Sequence, residues 1–449
     1  MNTTLILPID LKASIHGDLE IAVLDVREHG QYGEGHLFYA SNCPYSRLEA
    51  SVLRLVPNRS TRCVVYDDGD GVADRAAARL NAIGYCRVEV LDGGANAWAA
   101  AGFELFKGVN LPSKTFGELM ESRYHPPLVT AAELDRWQKE KSRVLVFDGR
   151  PFSEFKKMSI PGARCVPNGE LLYRWAELVD DPETPVVINC AGRTRGIIGV
   201  ETLRAAGIPN PLYALENGTQ GWALLGFTLD RGRESAPLPV PSENAAWAPP
   251  ASMDVATVDF DTALQWQNDE ARTCYWFDVR TREEFEAGHL TGAVHAPAGQ
   301  LIQATDQWVA VRRARIVLVD DDGIRAATAA FWLRQMGHSV YVLKGGFDSK
   351  PRVSGADESM LPSGLPDTLS VPISVEDAQA QLAAGEMVAI DVRASMDFRK
   401  GAIAGSRWAT RSRMAAALRG LEKPVLLIAD DAGVGRLAAI EAADCVAGP

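Results

Sequence analysis

One pattern of apolar and polar positions recurs along the chain. Short continuous apolar runs appear at Cys63 to Tyr66, Val186 to Ile188, Ile316 to Val319 and Val425 to Ile428, and an Ala-rich segment with helical spacing follows each. Strands without polar alternation are buried on both faces, and helices alternating with them predict a parallel sheet covered on each side. Upstream of each run stands an apolar-Asp-x-Arg strand: Leu24-Asp25-Val26-Arg27, Phe147-Asp148-Gly149-Arg150, Phe277-Asp278-Val279-Arg280 and Ile390-Asp391-Val392-Arg393. The intervals between them are 123, 130 and 113 residues, each about one domain. A glycine-rich turn follows each Asp-x-Arg strand. A second strand and a Gly-rich turn close the unit at Asp92-Gly93-Gly94, Glu216-Asn217-Gly218 and Lys344-Gly345-Gly346.

Length alone predicts about three domains; the repeats raise the expectation to four tandem α/β domains, at 1–108, 124–235, 252–350 and 371–449. Ala236 to Pro250, with five prolines, links the second to the third. Lys350 to Pro372 links the third to the fourth, and the 107–127 link is shorter and more mixed. This spacing predicts two pairs, first with second and third with fourth. The fourth unit lacks the closing strand and turn, so either that portion was lost or the sequence is cut there. Its sheet would expose an edge or borrow a strand, which gives a reason to expect a homodimer.

Charge and cysteine usage narrow the partners. The formal net charge of −12 disfavours nucleic acid and anionic membranes, which need a basic surface. The first ten residues do not read as a signal peptide, and no apolar run is long enough to span a membrane. Seven scattered cysteines without a CxxC pair predict reduced thiols and a cytoplasmic location. The histidines are too scattered for a metal site.

The candidate chemistry lies in Asn189-Cys190-Ala191-Gly192-Arg193-Thr194-Arg195-Gly196. An apolar strand ends in a cysteine, a loop with two arginines follows, and a helical pattern begins at Ile197. Inward loop N–H groups, the helix N-terminus and the two guanidinium groups all favour a thiolate, so a lowered thiol pKa is expected. The same N–H groups of Ala191, Gly192, Thr194 and Gly196 suit a persulfide anion. Asp148 and Arg150 recur in copies without cysteine, which favours a structural ion pair over a place in the site. Glu216 and Asn217 either line the mouth of the site or form a simple turn. Cys165 is either a buried small residue or near enough to resolve a persulfide.

With these motifs in place, the chain resembles the rhodanese family over nearly its whole length, as four copies with the last partial. Cys190 to Arg195 is close to the family's active-site loop. Similarly folded dual-specificity phosphatases carry one more residue between cysteine and arginine, so the four residues here favour the smaller sulfane-sulfur site. The resemblance implies a thiosulfate sulfurtransferase in which Cys190 takes the outer sulfur of a donor and passes it, as a persulfide, to cyanide or a cellular thiol. Arg193 and Arg195 would hold the donor's oxyanion, and no metal or organic cofactor is needed. A persulfide carrier that hands sulfur to a protein partner, with the other copies as binding modules, is the alternative. Those copies place Asp67, Asp320 and Asp430 at the cysteine position and are expected to be inactive, with Arg325 pairing the third copy's carboxylate in the old site.

Overall fold

The computed structural model describes residues 4–140, 143–241, 253–321, 323–347, 350–356, 365 and 371–447. The repeats form mainly parallel α/β sheets flanked by helices. In the second copy five strands run in the order Leu128–Val129, Leu212–Leu215, Val186–Asn189, Leu145–Asp148, Arg164–Cys165. All are parallel, with Asp148 opposite Asn189 and Phe147 opposite Arg164. The third copy repeats this order over Thr257–Val258, Ser339–Leu343, Arg315–Val319, Cys274–Asp278 and Val294–His295. In the first, Thr4–Ile6, Val88–Leu91, Cys63–Tyr66, Ile21–Asp25 and Ser41–Asn42 pair in the same way.

The central strands are buried end to end: every residue of Val186–Asn189 and of Cys63–Tyr66 is inaccessible. This is why their sequences are apolar without alternation. Side-chain caps fix several helix starts. Thr130 and Thr281 accept the N–H groups of Glu133 and Glu284, whose carboxylates reach back to the cap, closing reciprocal capping boxes.

The Asp-x-Arg pair is structural in all four copies. Arg150 donates Nε and Nη2 to Asp148 at 2.8 and 2.6 Å, and Nη2 also reaches the carbonyl of Met158 at 2.7 Å. Arg27, Arg280 and Arg393 do the same with Asp25, Asp278 and Asp391, and reach the carbonyls of Gly35, Gly288 and Gly401. The buried pair thus ties the strand end to the turn that follows. His36 and His289, in two of those turns, stack on Tyr32 and Phe285 at 3.6 and 3.7 Å. Trp98 and Trp222 fill the cores beneath the closing turns.

The fourth copy is a three-stranded parallel sheet of Arg407–Trp408, Val388–Asp391 and Val425–Ile428 among the described residues. Its register corrects one expectation. Asp391 faces Ile428 as Asp148 faces Asn189, so the residue matching Cys190 is Ala429, not Asp430. The adjacent acids drew the match one position too far, and Asp430 instead pairs with Arg47 at 3.1 Å.

The pairing of copies also differs from the expectation. The two compact units are Met1–Val109 with Glu358–Pro449, and Asn110–Asp357. The first copy therefore partners the fourth, and the second partners the third. In the first unit, Arg411, 1% exposed in its side chain, grips Glu49 at 2.6 and 2.9 Å. In the second, Trp332 donates to Thr202 at 2.8 Å, and Arg325 reaches Glu170 at 3.3 Å. Proline-rich spacing reports where chain is unpatterned, not which faces match.

Candidate active site

The site is built at the C-terminal end of Val186–Asn189. Cys190 follows the strand directly and is 3% exposed. The helix begins at Thr194 and runs to Ala205, three residues earlier than the pattern suggests, so Arg195 and Gly196 belong to its first turn. The Arg195 guanidinium and the N–H groups of Gly196 and Gly192 favour a charged Cys190 sulfur. The loop's carbonyls are held from the other side: Thr219 donates its N–H to the Cys190 carbonyl at 2.8 Å, and Gln220 donates to that of Ala191 at 3.0 Å.

The closing turn explains its glycine here. Gly218 has φ +54°, and a Cβ there would lie 2.3 Å from the Cys190 carbonyl oxygen. Gly94 and Gly346 press on the carbonyls of Asp67 and Asp320 in the same way. The turn is thus the back wall of the loop in three copies, with or without the cysteine. Glu216 is exposed and does not line the cavity described below; its N–H serves the Val129 carbonyl. Asn217 caps the helix Gly218–Leu224 in a left-handed conformation and lines the cavity described below.

The two arginines part company. Arg195 is buried, donating both Nη groups to Glu154 at 2.8 Å and Nη1 to Gln300 at 3.3 Å. Arg325 in the third copy holds Glu284, at the matching position, at 2.7 Å. Arg193 turns outward and is paired with Glu121. Its partner belongs to a helix, Leu111–Tyr124, that packs along Thr194–Ala205. This helix lies inside the link that reads as mixed in sequence. It helps to line a cavity of about 220 Å³ with Lys114 and Glu118, together with Gly192, Arg193 and Gln220. Lys114, Glu121 and Gln220 carry no motif and were not legible as site residues.

The thiol pKa runs against expectation. Burial pushes the Cys190 thiol up; Arg195 and the N–H groups of Gly196 and Gly192 oppose it but do not prevail. A fully buried sulfur loses more hydration than the loop restores. Cys165 is a buried thiol, 3.3 Å from the Arg150 carbonyl, with burial pushing it up to about 12.

The copies without the cysteine show what the loop is shaped to hold. Asp67 accepts the N–H groups of Gly69 at 2.8 Å and Ala73 at 2.9 Å, and Asp320 accepts those of Gly323 at 2.8 Å and Ala326 at 3.0 Å. These N–H groups come from the loop and from the first turn of the helix, as those of Gly192 and Gly196 do around Cys190. A carboxylate there is a built-in anion. In the third copy that carboxylate, through the loop N–H groups, fills the old site, while Arg325 is hydrogen-bonded to Glu284, Asp321 and Glu170. Among the described residues no cluster of His, Cys, Asp and Glu could hold a metal ion, and no helix is long and apolar enough to cross a membrane.

A parallel sheet whose central strand delivers one cysteine into a loop of N–H groups, repeated elsewhere with aspartate, defines the class. The Rhodanese-like domain matches at residues 7–101, 130–225 and 259–349, and the chain belongs to the rhodanese family. It is similar to a thiosulfate sulfurtransferase from Pseudomonas aeruginosa, with 41% identity and a TM-score of 0.91 over 97% of this chain and 84% of that one. Shorter stretches are 35% identical to the HTH-type transcriptional regulator Rv0324 of Mycobacterium tuberculosis and 37% identical to the uncharacterized protein YqhL of Bacillus subtilis. These cover 23% and 17% of this chain, and 45% and 60% of the two relatives, less than two thirds of either.

Proposed function

We propose that the chain is a thiosulfate-type sulfurtransferase acting through a persulfide on Cys190. The observation that carries the reading is the loop itself: Cys190 stands where the first and third copies hold a carboxylate on two backbone N–H groups. A terminal persulfide sulfur is anionic near neutral pH and suits the same donors.

Cys190 first loses its proton to solvent. The thiolate attacks the outer sulfur of thiosulfate; a sulfur–sulfur bond forms to Cys190 as the donor's own breaks, and sulfite leaves with the electron pair. Cyanide or a thiolate then attacks the outer persulfide sulfur, forming thiocyanate or a new persulfide and returning the Cys190 thiolate.

Lys114 and Arg193 are the cations facing the cavity above the loop, and they are placed to receive the donor's oxyanion. A guanidinium fork matches a sulfonate well. Arg193 must exchange Glu121 for the donor, so Glu121 sets a threshold for anion entry. The cavity's modest volume favours a small donor over a bulky one. Thiocyanate formation from thiosulfate and cyanide is the test. It should be present in the wild type and lost in Cys190→Ser; unchanged turnover in that variant would overturn the reading.

A further inference from the structure

The two pairs of copies meet through equivalent seams but fill them differently. Counting from the Asp of each Asp-x-Arg pair, Glu170 and Gln300 occupy the same position as Arg47 and Arg413, and Gly169 and Gly299 the same as Ser46 and Ser412. In Asn110–Asp357 the seam is closed. A Cβ on Gly169 would lie 2.8 Å from that of Ala298 and 2.9 Å from the Gly299 nitrogen. Arg195 and Arg325 then cross it to Gln300 and Glu170, each at 3.3 Å.

In the unit formed by the first and fourth copies, both crossing arginines are gone. Their positions hold Val72 and Val434, which are 7% and 3% exposed. Two long side chains are replaced by two short ones, and the glycines by serines that hold the walls apart. A cavity of about 630 Å³ results, with Val72 and Val434 in its lining and Arg47 and Arg413 on opposite sides.

The lining fixes the ligand chemistry. Trp408, 39% exposed, offers an indole surface beside the valines. The other arginines of the cavity are already matched: Arg27 by Asp25 and Asp68, Arg393 by Asp391, Arg47 by Asp430. Arg413 makes no ion pair among the described residues and is exposed at the cavity. An apolar middle and one unmatched guanidinium complement a small organic anion with an aromatic body.

We propose that the seam between the first and fourth copies is a binding site for an aromatic carboxylate or sulfonate, separate from the Cys190 loop. Its anion meets Arg413 and its ring lies against Trp408 and the two valines. The site owes nothing to the sulfur chemistry, so it stands or falls apart from the proposed activity.

The probe is anilinonaphthalene sulfonate, titrated by fluorescence into the full chain, with uncharged phenylnaphthylamine as its counterpart. We expect one saturable site per chain for the sulfonate. Arg413→Glu, an exposed change, should weaken it by at least about tenfold, with a smaller effect on the uncharged probe. Val434→Arg, which restores the residue that crosses the other seam, should remove binding of both. Native circular dichroism and a retained cooperative unfolding transition would show each variant is folded. No saturable site in the wild type, or one indifferent to both substitutions, overturns the proposal.

Discussion

At the residue scale the decisive balance is between burial and the charges around Cys190. Burial wins, so the thiol is raised rather than lowered. The thiolate is the reactive form and remains a minority at neutral pH. The first half-reaction should therefore accelerate with pH, by about tenfold per unit below the thiol pKa, because each unit multiplies the thiolate fraction. A single-turnover rate that is flat from mildly acid to neutral pH would contradict this. Glu121 carries a second expectation. Glu121→Gln releases Arg193 to the donor and should lower KM for thiosulfate severalfold, by about the 1 kcal/mol of a half-exposed ion pair, with kcat little changed; an unchanged or raised KM would refute that role. The sequence made Cys190 legible because strand, cysteine and basic loop are contiguous. It could not separate Arg193 from Arg195, because their partners Glu121 and Glu154 lie 72 and 41 residues away.

At the scale of elements, strand, loop and helix form one anion-binding frame used three ways: a thiol in the second copy, a carboxylate in the first and third, and Ala429 in the fourth. Asp320→Ala would strip the carboxylate from one buried and one part-buried N–H group and should cost about 1–3 kcal/mol in denaturant unfolding. Unchanged stability would show that the carboxylate does not hold the loop together. The strands and the Asp-x-Arg turns were readable because their burial and repetition are local. The start of the Thr194–Ala205 helix was hidden by Gly196, a weak helix former held there by packing against Ile188. Leu111–Tyr124 was hidden because, apart from Asn110 and Pro112 at its start, it carries little signal, and its packing partner lies far along the chain.

At the scale of the whole molecule, four copies fold as two pairs, and tandem order misleads about which. The faces that decide the pairing join residues such as Arg411 and Glu49, 362 positions apart. Each pair uses its seam differently: closed by arginines beside the cysteine-bearing copy, open beside the two copies that lack one. Only one copy of the four carries the sulfur-bearing residue in its loop.

The central claim is therefore that one residue in the entire chain takes up sulfane sulfur. Intact-mass analysis after incubation with excess thiosulfate, followed by peptide mapping, tests it most directly. One added sulfur atom per chain, released by cyanide, is expected on the peptide that contains Cys190. No added sulfur, or sulfur on another cysteine with Cys190 unmodified, would contradict it.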